Sequence, residues 1–165
     1  MDNTIKELRE QADAIISNCT APINELIDMI LQNTKVSPNG STLGLSMDDL
    51  YALAIRIPSE CAYLQTQLNS QLIQQKVQSF LTETKITESI VILQGSKGDA
   101  RERQRRAEAM SKDDVLASII TEQIISSLQA TIQRADKVYE GIKKIIDAKT
   151  REFNFDMKPG RSVGM

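Results

Sequence analysis

Residues 115–153 read VLASIITEQIISSLQATIQRADKVYEGIKKIIDAKTREF. Within this stretch Leu116, Ile120, Ile124, Leu128, Ile132, Ala135, Tyr139, Ile142 and Ile146 follow one another in steps of four and three. That is the spacing of one face of an α-helix, and from Leu128 onward it is close to a heptad. Ile119, Ile125, Val138 and Ile145 widen the stripe, while Lys149 occupies the apolar slot expected between Ile146 and Phe153. A helix of roughly 40 residues is about 60 Å long. One small domain is not expected to bury a stripe of that length. Leu116, Ile120, Ile124, Leu128, Ile132, Tyr139, Ile142 and Ile146 are therefore the expected oligomer interface. The other reading folds this helix against a second long helix of the same chain.

Working outward, Ser111 and Asp114 form a capping signal that opens the helix. Before it stands the break QGSKGD at 94–99, with two glycines. Further upstream Leu64, Leu68, Leu72, Phe80 and Leu81 continue a helical stripe that Ile90 to Leu93 extends, although the β-branched run Ile90-Val91-Ile92 also suits a short strand. Pro58 is expected to stop a helix running from Met47 to Ile57 and to let a new one begin near Ser59. Ser46 and Asp49 resemble a capping box with Asp in place of Glu. Residues 34–45 read as a loop whose turn is Pro38-Asn39-Gly40.

At the beginning of the chain Ile5, Leu8, Ala12, Ile15 and Ile16 mark a short amphipathic helix. Thr20 and Pro22 then have the arrangement of a fresh helix start, followed by Ile23, Leu26, Ile27, Ile30 and Leu31. Two helices and one kinked arm fit these residues equally. The expected fold is all-α: long amphipathic helices forming a helical hairpin or bundle that self-assembles. It is read as a single helical domain over 1–153, with short N-terminal helices in 1–57 and long helices in 58–153 interrupted by a basic break at 94–106. Residues 154–165, with Pro159, Gly160 and Gly164, read as a flexible tail.

Composition narrows the function. The 165 residues are 41% hydrophobic, yet there are three Phe, three Tyr and no Trp, which suits helix seams built from Ile, Leu, Ala and Val. There is no histidine, and Cys19 and Cys61 are far apart, so zinc and the usual general base are not expected. Both cysteines read as reduced core residues. Gly95-Ser96-Lys97-Gly98 lacks the glycine spacing and the Lys-Ser/Thr ending of a phosphate loop. Neither a signal peptide nor an apolar run of membrane-spanning length is recognised. The expectation is a soluble, cytoplasmic, non-enzymatic protein without cofactor, metal or membrane partner.

One segment departs from the rest. Lys97 to Lys112 carries six cations (Lys97, Arg101, Arg103, Arg105, Arg106, Lys112) against Asp99, Glu102 and Glu108, a net of +3. The whole chain is −2, so the remainder is −5. Arginine matches phosphate geometry, and Lys97, Arg101, Arg103, Arg105 and Arg106 are the candidate phosphate contacts. On a helix Arg101 and Arg105 share a face, whereas Arg103 and Arg106 point elsewhere. No aromatic lies in the segment to stack on bases, so contact would be with phosphate and blind to sequence. The alternative is a solvated helix start in which Glu102 pairs with Arg105 or Arg106.

The order of these features is itself informative. A glycine-containing break, a basic segment and a long amphipathic helix lead to ADKVYEGIKKIIDAKTRE at 135–152. Over roughly Ile57 to Phe153 this resembles the UvsY-type recombination mediators of bacteriophages. The resemblance implies a ring-like homo-oligomer in the bacterial host cytoplasm. It also implies binding of single-stranded DNA without sequence preference, and loading of a RecA-type recombinase past a single-strand-binding protein. Two other readings stand beside it. One is a phage-type helical inhibitor or sponge that binds a host protein or an anionic small ligand. The other is a structural coiled-coil adaptor.

Overall fold

The computed structural model describes residues 2–37, 40–95 and 99–156. Its elements are α1 (Asp2–Asn33), β1 (Thr34–Ser37), β2 (Gly40–Leu43), α2 (Met47–Leu93), α3 (Ala100–Met110) and α4 (Lys112–Asp156). The fold is helical, and its sheet is one antiparallel hairpin pairing Thr34 with Leu43 and Ser37 with Gly40. Contacts divide the chain into two compact units. One holds residues 1–20 and 64–130, the other 21–63 and 131–165. Each of α1, α2 and α4 contributes a segment to both.

The second unit shows how tertiary packing overrides local breakers. Its core is Ile23, Leu26, Ile27, Ile30, Leu50, Leu53, Ile57, Ala135 and Ile142, all buried. Pro22 and Pro58 both lie inside continuous helices, not at helix starts. An interior proline costs about 3 kcal/mol, and each buried Ile or Leu returns about 1.5–3 kcal/mol. Keeping Ile23, Ile27 and Ile57 in register on one face therefore outweighs the break. Thr20, expected as a cap, instead turns its hydroxyl back to the carbonyl of Ile16 at 2.8 Å. The 34–45 loop is replaced at its flanks by the hairpin. It is closed by the Gly44 N–H donating to the Asn33 carbonyl, while Pro38 and Asn39 lie outside the described residues.

The capping box at the start of α2 forms as the residues suggest. The Asp49 N–H donates to Ser46 Oγ, and Ser46 N–H and Oγ donate to Asp49 Oδ2 at 3.2 and 2.6 Å. These bonds favour the charged carboxylate and hold the Asp49 pKa below its ordinary value. Lys149, in its apolar slot of α4, is half-buried and donates its ammonium to the Leu45 carbonyl at 3.0 Å. Its stem packs where an apolar side chain was expected while its head satisfies a loop carbonyl. Helix α4 continues to Asp156, so residues 154–156 extend the helix. The rest of the expected tail lies outside the described residues.

In the first unit Ala12, Leu64, Leu68, Ala107, Ile124, Ile125 and Leu128 are buried. Ile90 to Ile92 are helical, since α2 runs unbroken to Leu93. The apolar positions of α2 do not form one straight stripe. Steps of four residues rotate the stripe by about 40° each. Leu64 and Leu68 are buried, Leu72 is half-buried, and Phe80 and Leu81 are exposed. The half-buried face further along α2 mixes Gln75, Gln78 and Thr82 with Ile86, Ile90 and Leu93. Gln78 donates to the Asp114 carbonyl and accepts from Thr121, and Gln75 donates to Glu122. A groove of about 410 Å³ lies among Leu8, Ile15, Gln74, Val77, Ile120 and neighbouring residues of this unit.

Helix α4 is long and apolar enough, by length and composition, to cross a membrane. Thr121, Glu122, Gln123, Ser126 and Gln129 interrupt that stretch, and its Ile124, Ile125 and Leu128 are buried. That alternation fits an amphipathic helix packed on one side.

Candidate nucleic-acid interface

The basic segment is an independent helix. After α2 a turn at Gln94 and Gly95 ends the long helix, with the Gln94 N–H donating to the Val91 carbonyl. Asp99 then caps α3. Its backbone is extended, and its carboxylate accepts the Glu102 N–H at 2.8 Å. This cap was legible as an Asp three residues before Glu102, yet Asp99 drew attention only as an interrupting acid. At the other end the Ser111 N–H donates to the Glu108 carbonyl, and α4 begins at once. Ser111 does not form the expected box with Asp114. The Asp114 carboxylate is taken by Lys85 at 2.8 Å.

Ala107 fixes the orientation of α3, because it is wholly buried. Arg103 lies about 40° from it around the helix and is half-buried. Arg105 lies about 200° from Ala107, and Arg101 is about 40° beyond Arg105. Both are exposed. The expected shared face of Arg101 and Arg105 is thus the solvent face. Arg106 forms an ion pair with Glu102 on the flank, and Gln104 donates to Glu108 at 3.1 Å. Among the described residues no carboxylate pairs with Arg101, Arg103 or Arg105. The helix holds four arginines against two glutamates, a net of +2. Lys97, the fifth candidate, lies outside the described residues.

The proposed oligomer seam has a different fate. Ile124, Leu128 and Ile142 are buried by the chain itself, and Leu116, Ile120, Ile132, Tyr139 and Ile146 are half-buried. Three of these eight positions are thus covered within the chain, and five keep part of their surface exposed. The long helix is covered in two segments, one in each unit. Lys143 lies 5.3 Å from the Tyr139 ring centroid, and its hydrogen bond to Glu140 holds its pKa above the ordinary value.

Cys19 and Cys61 are free and half-buried rather than core. Burial raises both thiol pKa values, and the carboxylates of Asp136 and Glu60 raise that of Cys61 further. Such thiols are poor nucleophiles. Among the described residues no cluster of three or more His, Cys, Asp or Glu stands ready for a metal. Comparison with protein-family models, curated proteins and solved structures gives no match, so the functional reading rests on the chain's own residues.

Proposed function

We propose that this chain is a non-catalytic, sequence-independent binder of single-stranded DNA. In the resemblance drawn from its sequence, it acts as a phage-type mediator that loads a RecA-like recombinase past a single-strand-binding protein. One observation carries the reading: Arg101 and Arg105 stand together on the solvent face of α3 without acidic partners. Phosphate oxygens are the ligands that such a pair of guanidinium groups meets best. The lack of any aromatic on α3 removes base stacking, so affinity follows the backbone charge of the strand.

The small-ligand alternative has less support. The groove in the first unit is lined by apolar side chains and glutamines, and its one cation, Lys85, is already neutralised by Asp114. An anionic ligand would gain little there.

Fluorescence anisotropy with labelled single strands of two unrelated base compositions tests the proposal. Equal affinities that weaken together as salt rises are expected. Absence of binding at low salt, or a strong preference for one composition, would overturn it. Loading is tested separately, by whether the protein speeds recombinase assembly on strands coated with single-strand-binding protein.

A further inference from the structure

Helix α2 carries a second apolar seam that stays exposed among the described residues, with Val77 also bordering the groove of the first unit. Ile73, Val77, Phe80, Thr84, Thr87 and Val91 follow steps of four, three, four, three and four, which is the spacing of a coiled-coil core. All six are exposed, Ile73 by 65% and Phe80 by 68%. This seam lies opposite Leu64 on the helix. Taking about 100° per residue, Ile73 and Val91 sit about 180° from it and Phe80 about 160°. The face on Leu64's own side carries Gln71, Gln75, Gln78 and Thr82 before it returns to Ile86 and Leu93, all half-buried. Over residues 71–82 the segment therefore turns glutamines toward its own unit and Ile73 and Phe80 toward solvent. The two threonines suit a dry seam, because their hydroxyls are already satisfied. Thr84 donates to the Phe80 carbonyl and Thr87 to the Glu83 carbonyl, each within 2.9 Å.

We infer that this face of α2 binds the same face of a second copy of the chain, with the two helices antiparallel. Charge selects both occupant and direction. Lys76 and Glu83 are seven residues apart, so they flank the seam on the same side. Both are exposed, and neither forms an ion pair among the described residues. Antiparallel pairing that sets Val77 against Phe80 of the other copy brings Lys76 beside the other copy's Glu83, twice by symmetry. Parallel pairing instead sets Glu83 against the other copy's Glu88, a repulsion made twice.

The area is sufficient for a modest dimer. A fully exposed aliphatic side chain offers about 100 Å² and a phenylalanine about 200 Å². Scaled by their exposures, Ile73, Val77, Phe80 and Val91 offer about 310 Å² per copy. With roughly 65% of such an interface apolar, the total is about 950 Å², the size of a weak, transient complex. Association in the micromolar range is expected. The pairing is independent of DNA binding, since α3 takes no part in it.

Sedimentation velocity on the full chain, from below to above micromolar concentration, is the test. The unaltered protein should pass from monomer to dimer. Phe80→Glu should remain monomeric with an unchanged circular dichroism spectrum, because the side chain is exposed in the single copy. Lys76→Glu and Glu83→Lys should each weaken self-association about tenfold, since each replaces two attractions by two repulsions. An equimolar mixture of these two variants should restore the dimer, because both cross-pairs then become opposite in sign. A monomeric unaltered protein, a Phe80→Glu variant that still dimerises, or a mixture no better than its components would each overturn the inference.

Discussion

Leu128 and Ile119 belong to the same apolar stripe of α4, and truncating each to alanine should have very different consequences. Leu128 is fully buried, while Ile119 is 55% exposed. Removing a buried leucine side chain loses its transfer energy and leaves a cavity, about 2–5 kcal/mol in all. Ile119 already has more than half its surface in water, so its truncation is expected to cost under about 1 kcal/mol. In a protein of this length each kcal/mol moves the melting temperature by about 2–4 °C. Leu128→Ala should therefore lower it by about 4–20 °C and Ile119→Ala by no more than about 4 °C. Thermal melts followed by far-ultraviolet circular dichroism measure both. Equal shifts for the two variants would refute the packing described for the first unit.

Four further outcomes follow from other parts of the fold. Ile142→Asp should unfold the protein and not merely release soluble monomers, because Ile142 is buried within its own unit; a cooperative melt at the original temperature would contradict this. Ser46→Ala should cost about 0.5–2 kcal/mol through loss of the α2 cap. Because the folded pKa of Asp49 is lowered, its contribution is present above the ordinary carboxylate value and is lost as pH falls through the folded one. Stability of the unaltered chain should accordingly fall toward acid more steeply than that of Asp49→Asn, as denaturant titrations at several pH values would show. Glu102→Gln frees Arg106 from its ion pair, so DNA affinity should rise and its salt slope steepen by about 0.7; an unchanged slope would show that Arg106 faces no phosphate.

Much of the helical content was legible because apolar spacing reports one face of a helix directly. Ile23, Leu26, Ile27 and Ile30 were legible as one face, as were Ile124, Leu128 and Ile142. The misreadings share a cause. Pro22 and Pro58 obey a local rule, but the core residues on either side of each proline keep the helix going. Phe80 and Leu81 look continuous with Leu64 and Leu68 only while steps of four are counted without their rotation. Once the drift is added, Phe80 falls on the opposite side, where the four-three seam with Ile73 and Val91 becomes visible. The hairpin was hidden because its strands are four residues long and read as polar loop. On α3, the shared face of Arg101 and Arg105 followed from spacing alone. That this face is the solvent face required the burial of Ala107. For the α4 stripe, self-association and packing within one chain both fitted the spacing, because spacing shows that a face must be covered and says nothing of by what.

The central claim is that Arg101 and Arg105 on α3 hold the phosphates of a single strand, and the salt slope of binding tests it most directly. Arg101 and Arg105, the two exposed arginines without acidic partners, predict a logarithmic slope of about −1.4 per chain, so an increase of about threefold in salt should weaken binding about fivefold. Arg101→Ala with Arg105→Ala should abolish most of that slope and of the loss over the same salt change, equally for every base composition. A double variant that keeps the original affinity and slope, while remaining as helical as the parent, would contradict the account.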